Sequence, residues 1–333
     1  MNKLLLLLAC CISTIANAQP APGYKITKTF PIASTGGWDY IAVHNHKLYV
    51  SHGTQVNILN ETTGDSIGII TNTNGVHGIA FNDELNKGYT SNGRSNNVTV
   101  FDPITNTPLA LIPTGKNPDA ILYEPFTKTI ITCNGRDASL SIIDPKNNTV
   151  ITTIAVGGKP ETAVSDEKGK LFVNIEDKNE IVEIDLTTKK VLHHWPLNGG
   201  EEPTGLAFDK PHQRLFAGCD KKLVVLNAQS GKIITQLPIG EGCDGVAFSN
   251  KDQTIFTSNG GDGTITAIKE NTADNYSVIG NYPTKKRART LILDDNNGTL
   301  FLPTAEFDET KIDNDRPMQI PGTFQVLVVE KMN

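Results

Sequence analysis

The chain has 333 residues, 30 Lys and Arg against 36 Asp and Glu, a formal charge of −6 and 38% hydrophobic residues. That apolar content suffices for a packed core and excludes wholesale disorder. The acidic balance disfavours nucleic acid as a partner, because a general nucleic-acid binder needs excess Lys and Arg to displace counterions.

Met1-Asn2-Lys3, the apolar run from Leu4 to Ile15 and Ala16-Asn17-Ala18 read as a signal peptide over residues 1–18, cleaved before Gln19. A lipoprotein signal ending at Leu8-Ala9-Cys10 fits less well, because its apolar stretch would be short. The expected location is periplasmic or secreted. Nothing after residue 18 offers the ~18 consecutive apolar residues of a transmembrane segment. With Cys10 and Cys11 removed, Cys133, Cys219 and Cys243 remain. An odd number gives no full disulfide framework, and a Cys219–Cys243 bridge stays open.

Tyr24 to Ile32 reads as a first strand. A forty-residue pattern follows, each copy holding up to four short β-branched strands bounded by Gly, Asn, Asp and Pro. The first strands begin Trp38-Asp39-Tyr40, Val76-His77-Gly78, Pro118-Asp119-Ala120 and Pro160-Glu161-Thr162. They continue with Pro203-Thr204-Gly205, Cys243-Asp244-Gly245 and Ala288-Arg289-Thr290. Their second residues are spaced 38, 42, 42, 43, 40 and 45 apart. Third strands close on Asn60, Asp102, Asp144, Asp185 and Asn227. Four strands per forty residues is the signature of a β-propeller blade. The seventh copy lacks a fourth strand, and Tyr24–Ile32 can supply it, closing the ring and covering an edge. Residues 19–333 are therefore expected to form one all-β domain, a seven-bladed β-propeller of four-stranded antiparallel blades. The length favours two domains only as a soft prior.

The second strands Gly88-Tyr89-Thr90-Ser91-Asn92, Ile255-Phe256-Thr257-Ser258-Asn259 and Leu48-Tyr49-Val50-Ser51 resemble the YVTN repeat. With the count of seven and the export signal, the chain is similar to YncE-like secreted propellers. That resemblance implies a binding platform and supplies no reaction.

In such a fold the second residue of each innermost strand rings one mouth of the central channel. The ring reads Asp39, His77, Asp119, Glu161, Thr204, Asp244 and Arg289. Asp39, Asp119, Glu161 and Asp244 are candidate ligands for a divalent cation, Ca²⁺ or Mg²⁺, and His77 could join them or act as a base. The plainer alternative is that the acids accept backbone N–H bonds and pin the blades. Arg94, Arg136 and Arg289 could hold a carboxylate or phosphate, or pair with the ring acids. Residues 305–323 form a long insertion between the second and third strands of the last copy, expected over the mouth, with Glu306 and Phe307 facing inward. The basic cluster Thr284–Arg289 reads as a solvated loop. No Walker loop, G-x-S-x-G, H-E-x-x-H or C-x-x-C occurs. The leading expectation is a monomeric binding or interaction module for a small molecule or protein partner. The alternative is a metal-assisted, lactonase-like hydrolase or lyase at the same mouth.

Overall fold

Alternating apolar residues and turn residues every few positions build short antiparallel strands, and the computed structural model arranges them as seven four-stranded sheets. It describes residues 23–313 and 316–332; the signal-peptide reading of residues 1–18 falls outside them. Blade 1 comprises Trp38–His44, Lys47–His52, Gln55–Asn60 and Ser66–Ile70 in that order from the axis outward. Blades 2 to 6 follow the same order, with innermost strands Val76–Asn82, Pro118–Glu124, Pro160–Ser165, Leu206–Asp209 and Cys243–Ser249. Among the described residues there is no α-helix, only two single turns of 3-10 helix.

Blade 7 takes three strands from the C-terminal part, Ile292–Asp294, Thr299–Thr304 and Gln325–Lys331, and its outermost strand from Tyr24–Pro31. Tyr24 pairs with Lys331 and Pro31 with Gln325, so the ring closes by hydrogen bonds between distant parts of the chain. Tyr24 and Phe30 point inward and are buried. Phe30 lies 6.5 Å from Phe301, and Tyr24 makes edge contacts with Phe256 and Tyr282 of blade 6.

The recurring acid or amide that closes the third strand in blades 1 to 5 shapes a turn. Asn60 Oδ1 accepts the backbone N–H groups of Thr62 and Thr63 at 2.9 Å, and Asp185 Oδ1 accepts those of Thr187 and Thr188 at 2.8 Å. Asp102, Asp144 and Asn227 do the same. Side chains of this type mimic a backbone turn and set the strand-three to strand-four connection.

Hydrophobic residues of the second and third strands, such as Leu48 with Leu59 and Ile130 with Ile143, face each other and fill the space between blades. Blade 2 reaches the same volume differently: Gly88 stands opposite Phe101. Cys133, Cys219 and Cys243 are buried free thiols, so the open question of a Cys219–Cys243 bridge resolves against one here.

Candidate functional site

The innermost strands of blades 1, 2, 3, 4 and 6 carry an irregularity where the ring residue sits. In blade 1, Trp38 pairs with His52 and Ile41 with Val50, leaving Asp39 and Tyr40 opposite Ser51 alone. The pairing slips in the same way at His77 and Gly78, at Asp119 and Ala120, and at Glu161 and Thr162. In blade 6 the slip leaves Asp244 as the extra residue. An extra residue bends the strand and re-aims its side chain. This repeated bulge turns Asp39, His77, Asp119, Glu161 and Asp244 toward one end of the channel.

At the mouth, hydroxyls and amides, not the ring acids, bond to the backbone in or just before the neighbouring innermost strand. Ser91 Oγ donates to the Asp119 carbonyl in the next blade, and Ser258 Oγ to the Arg289 carbonyl. Thr290 Oγ1 reaches the Asp39 carbonyl at 2.7 Å, and Thr204 Oγ1 the Cys243 carbonyl at 2.7 Å. Asn174 Nδ2 reaches the Gly205 carbonyl at 2.9 Å. The ring carboxylates are thereby left to side-chain partners.

Those partners are mostly cationic. His77 Nδ1 lies 2.5 Å from Asp39 Oδ2 and 3.6 Å from Asp119 Oδ1. Arg289 binds Asp244, lies 3.6 Å from Asp39 Oδ1 and donates to the Trp38 carbonyl at 2.9 Å. Lys159, which the ring pattern did not single out, contacts Glu161 at 2.7 Å and also binds Glu176. Its signal was its place two residues before the ring position, in Lys159-Pro160-Glu161.

Burial opposes the charged form of Asp39, but Arg289 and the His77 hydrogen bond outweigh it and hold the carboxyl below its ordinary range. Burial also opposes a charged His77, yet the Asp39 hydrogen bond and the Asp119 charge raise it. Asp119 is pushed up to about 7 by burial and by Asp39. Glu161 is pushed up to about 9 by burial and Asp119, against the pull of Lys159. Burial raises Asp244 despite Arg289. The acids outnumber the cations, and burial with mutual repulsion favours the protonated form of those left over.

Three expected members of the site, Arg94, Arg136 and Glu306, lie elsewhere, and the polar residues that end the second strands have structural partners. Arg94 and Arg136 are exposed and make no ion pair among the described residues. Glu306 is exposed and tied to Lys285 and Gln325, outside the ring. His52 is a satisfied core histidine: it is fully buried, bonds Ser34 and the Gly36 carbonyl, and burial lowers it to about 4. Asn92, Asn134 and Asn259 fill the turn between second and third strands with their own hydrogen bonds.

The basic cluster is not a free solvated loop. Lys285 binds Glu306, the Arg287 guanidinium sits 4.4 Å above the Phe307 ring, and Arg289 belongs to the channel mouth. The insertion itself folds into a two-stranded ribbon, Phe307–Asp313 with Arg316–Gln319. Phe307 faces inward as expected, 6.0 Å from Trp38.

Beneath the ribbon lies a cavity of about 560 Å³ between blades 6, 7 and 1. Trp38, Phe307 and Pro317 give it apolar walls, Arg287, Arg289 and Asp244 its charge, and Gly242, Gly260 and Gly261 let backbone form the rest. Arg287 makes no ion pair among the described residues, and the Trp38 indole N–H is buried without a hydrogen-bond acceptor. Small-molecule sites have this character: concave, largely apolar, with few polar groups to set orientation.

No protein-family profile matches the chain, and no curated protein matches it. Solved structures do. A chain of the Kuenenia stuttgartiensis hydrazine synthase superimposes with a TM-score of 0.68 at 14% identity, covering 88% of this chain and 96% of that one. A chain of the mitotic checkpoint complex superimposes with a TM-score of 0.72 at 13% identity, covering 90% and 95%. At such identities the likeness establishes the seven-bladed propeller fold, an architecture consistent with a binding or interaction module.

Proposed function

We propose that this propeller is an exported binding module whose ligand is a small organic anion with an apolar body. The ligand occupies the cavity between blades 6, 7 and 1, its anionic end against Arg287 and its body between Trp38 and Phe307. The observation that carries this reading is the Arg287 guanidinium, stacked on Phe307 at 4.4 Å and unpaired among the described residues. A cation left without a carboxylate in an acidic protein, in a half-closed cavity, favours an anion from outside. The apolar run and Ala-x-Ala site at residues 4–18 support export, and the second-strand repeats support a place among YncE-like propellers.

The test uses 8-anilinonaphthalene-1-sulfonate, an aromatic sulfonate, titrated into the folded protein. Saturable binding at one site is expected, weakened about tenfold or more by Arg287→Ala and by Phe307→Ala. Binding that is indifferent to both substitutions defeats the reading.

A second reading, a divalent cation at the mouth serving metal-assisted hydrolysis or lysis, is favoured by one observation. Donor atoms of Asp39, His77 and Asp119 lie within 4.8 Å of one another. Glu161 and Asp244 are occupied by Lys159 and Arg289, which narrows the cation ligands from four carboxylates to this trio. Addition of Mn²⁺ or Ca²⁺ should then raise the melting temperature of the parent protein and not of Asp119→Asn.

A further inference from the structure

On the rim opposite the cavity, Asp209 ends the innermost strand of blade 5, and Glu270 lies near the end of the third strand of blade 6, Thr264–Thr272. Both side chains are buried, Asp209 completely. His212, exposed on the turn after Asp209, places Nδ1 2.6 Å from Asp209 Oδ2 and 3.4 Å from Glu270 Oε1. Donor atoms of the three residues lie within 4.8 Å of one another.

Two oxygens here have no partner. Asp209 Oδ1 and Glu270 Oε2 are buried and accept no hydrogen bond. The two carboxyl groups, with oxygens within 4.8 Å of each other, are both acceptors when ionised and need a proton or a cation between them. The nearby cation is committed elsewhere: the Arg214 guanidinium serves the carbonyls of His212, Gln213 and Ala273 and the Asp274 carboxylate. Buried polar atoms are nearly always satisfied, and an ion is one of the recognised reasons for exceptions.

A second carboxyl pair supplies an internal comparison. Asp294 of blade 7 and Glu61 of blade 1 occupy corresponding places, the end of an innermost strand against the end of the neighbouring blade's third strand. There Asn297 Nδ2 donates to Asp294 Oδ2 at 2.5 Å and lies 3.5 Å from Glu61 Oε1, and Asn296 donates to Asp294 Oδ1. An amide fills that gap, and His46 stays 3.9 Å from Glu61 with its ring in solvent. Between blades 5 and 6 no amide takes this place among the described residues; Tyr276 Oη donates to Glu270 Oε1 at 3.2 Å, and the His212 ring closes in.

We propose that Asp209, Glu270 and His212 form a divalent transition-metal site of the zinc class that clasps blades 5 and 6. Imidazole with two carboxylates suits Zn²⁺ or a neighbouring first-row ion better than Ca²⁺ or Mg²⁺, which take oxygen ligands. Zinc bonds of about 2.0–2.2 Å in tetrahedral geometry set ligand atoms about 3.3–3.5 Å apart, a small adjustment from the present spacings. The exposed His212 ring marks the way in, and water would complete the coordination.

The experiment titrates Zn²⁺, and in parallel Co²⁺, into tag-free full-length protein stripped with EDTA. One equivalent should survive dialysis, and bound Co²⁺ should give visible d–d absorption. His212→Ala, on an exposed turn, should weaken retention at least tenfold and abolish the Co²⁺ band. The near-isosteric Glu270→Gln should do the same, whereas His46→Ala, which removes the solvent-exposed ring beside the Glu61–Asp294 pair, should leave both readouts unchanged. Absence of retained metal, or metal kept in His212→Ala and lost with His77→Ala at the opposite mouth, overturns the proposal and leaves a carboxyl pair sharing a proton. Neither result bears on the anion cavity, which is tested by a different ligand and different substitutions.

Discussion

His77 Nδ1 lies 2.5 Å from Asp39 Oδ2, joining the innermost strands of blades 1 and 2 through their ring residues. Both side chains are largely shielded from water. Removal of the imidazole leaves Asp39 and Asp119 facing each other with less compensation. His77→Ala should therefore destabilise the fold by about 1–3 kcal/mol, read as a lower urea midpoint with an unchanged m-value.

Asp119 fixes the sign of the pH dependence. Burial and Asp39 raise its carboxyl from 3.8 to about 7 in the folded protein. Between those values the folded state keeps a proton that the unfolded chain has released, so stability falls as pH rises. The contribution is complete below 3.8 and lost above about 7. Glu161, raised to about 9, extends the same trend. Urea midpoints in EDTA should be higher at pH 5 than at pH 8. Asp119→Asn should flatten that slope, and an unchanged slope would contradict the assignment.

Arg289 serves Asp244, Asp39 and the Trp38 carbonyl at once, holding blades 6, 7 and 1 at the mouth. A lysine retains the charge and loses the planar fork. Arg289→Lys should cost less stability than Arg289→Ala, which strands two carboxylates at a loss of about 1–3 kcal/mol after allowance for the partly exposed guanidinium. Equal losses in chemical denaturation would show that charge alone contributes nothing there and that the planar fork carries the whole effect.

Gly88 and Phe101 form a volume exchange. A Cβ on Gly88 would come within 2.0 Å of the Phe101 ring, which is fully buried. The corresponding pair in blade 1 is Leu48 with Leu59, and in blade 5 Leu215 with Leu226. Gly88→Leu should cost at least about 1–3 kcal/mol through overpacking. Adding Phe101→Leu should recover most of that loss, a coupling that a double-mutant cycle measures directly.

The blade count and ring positions were legible in the sequence because strand period and turn chemistry are local properties repeated seven times. Asp39, His77, Asp119, Glu161 and Asp244 followed from spacing alone. Cation assignment was harder to read. Arg94 and Arg136 sit at repeat-equivalent places, but turn conformation carries both outward. Lys159 and Arg287, each two residues before a ring position, turn toward the mouth or its cavity instead. Glu306 was misread because Lys285, from the loop entering blade 7, captures it outside the ring. Which partner a long side chain finds depends on loops brought together from different blades, and no single-repeat pattern contains that information. The Asp209–His212–Glu270 cluster was invisible for the same reason, since Glu270 lies in the next blade.

The Met332 N–H donates to the Gly23 carbonyl at 2.8 Å, so the two ends of the described chain are already neighbours. A short linker could join them, and new termini could be opened at one of the exposed turns that follow the third strands. Such circular permutants should keep the cavity and the opposite rim intact, because both are assembled between blades. They would convert the hydrogen-bonded seam of blade 7 into a covalent one, and so separate mechanical closure of the ring from the order in which its blades are made.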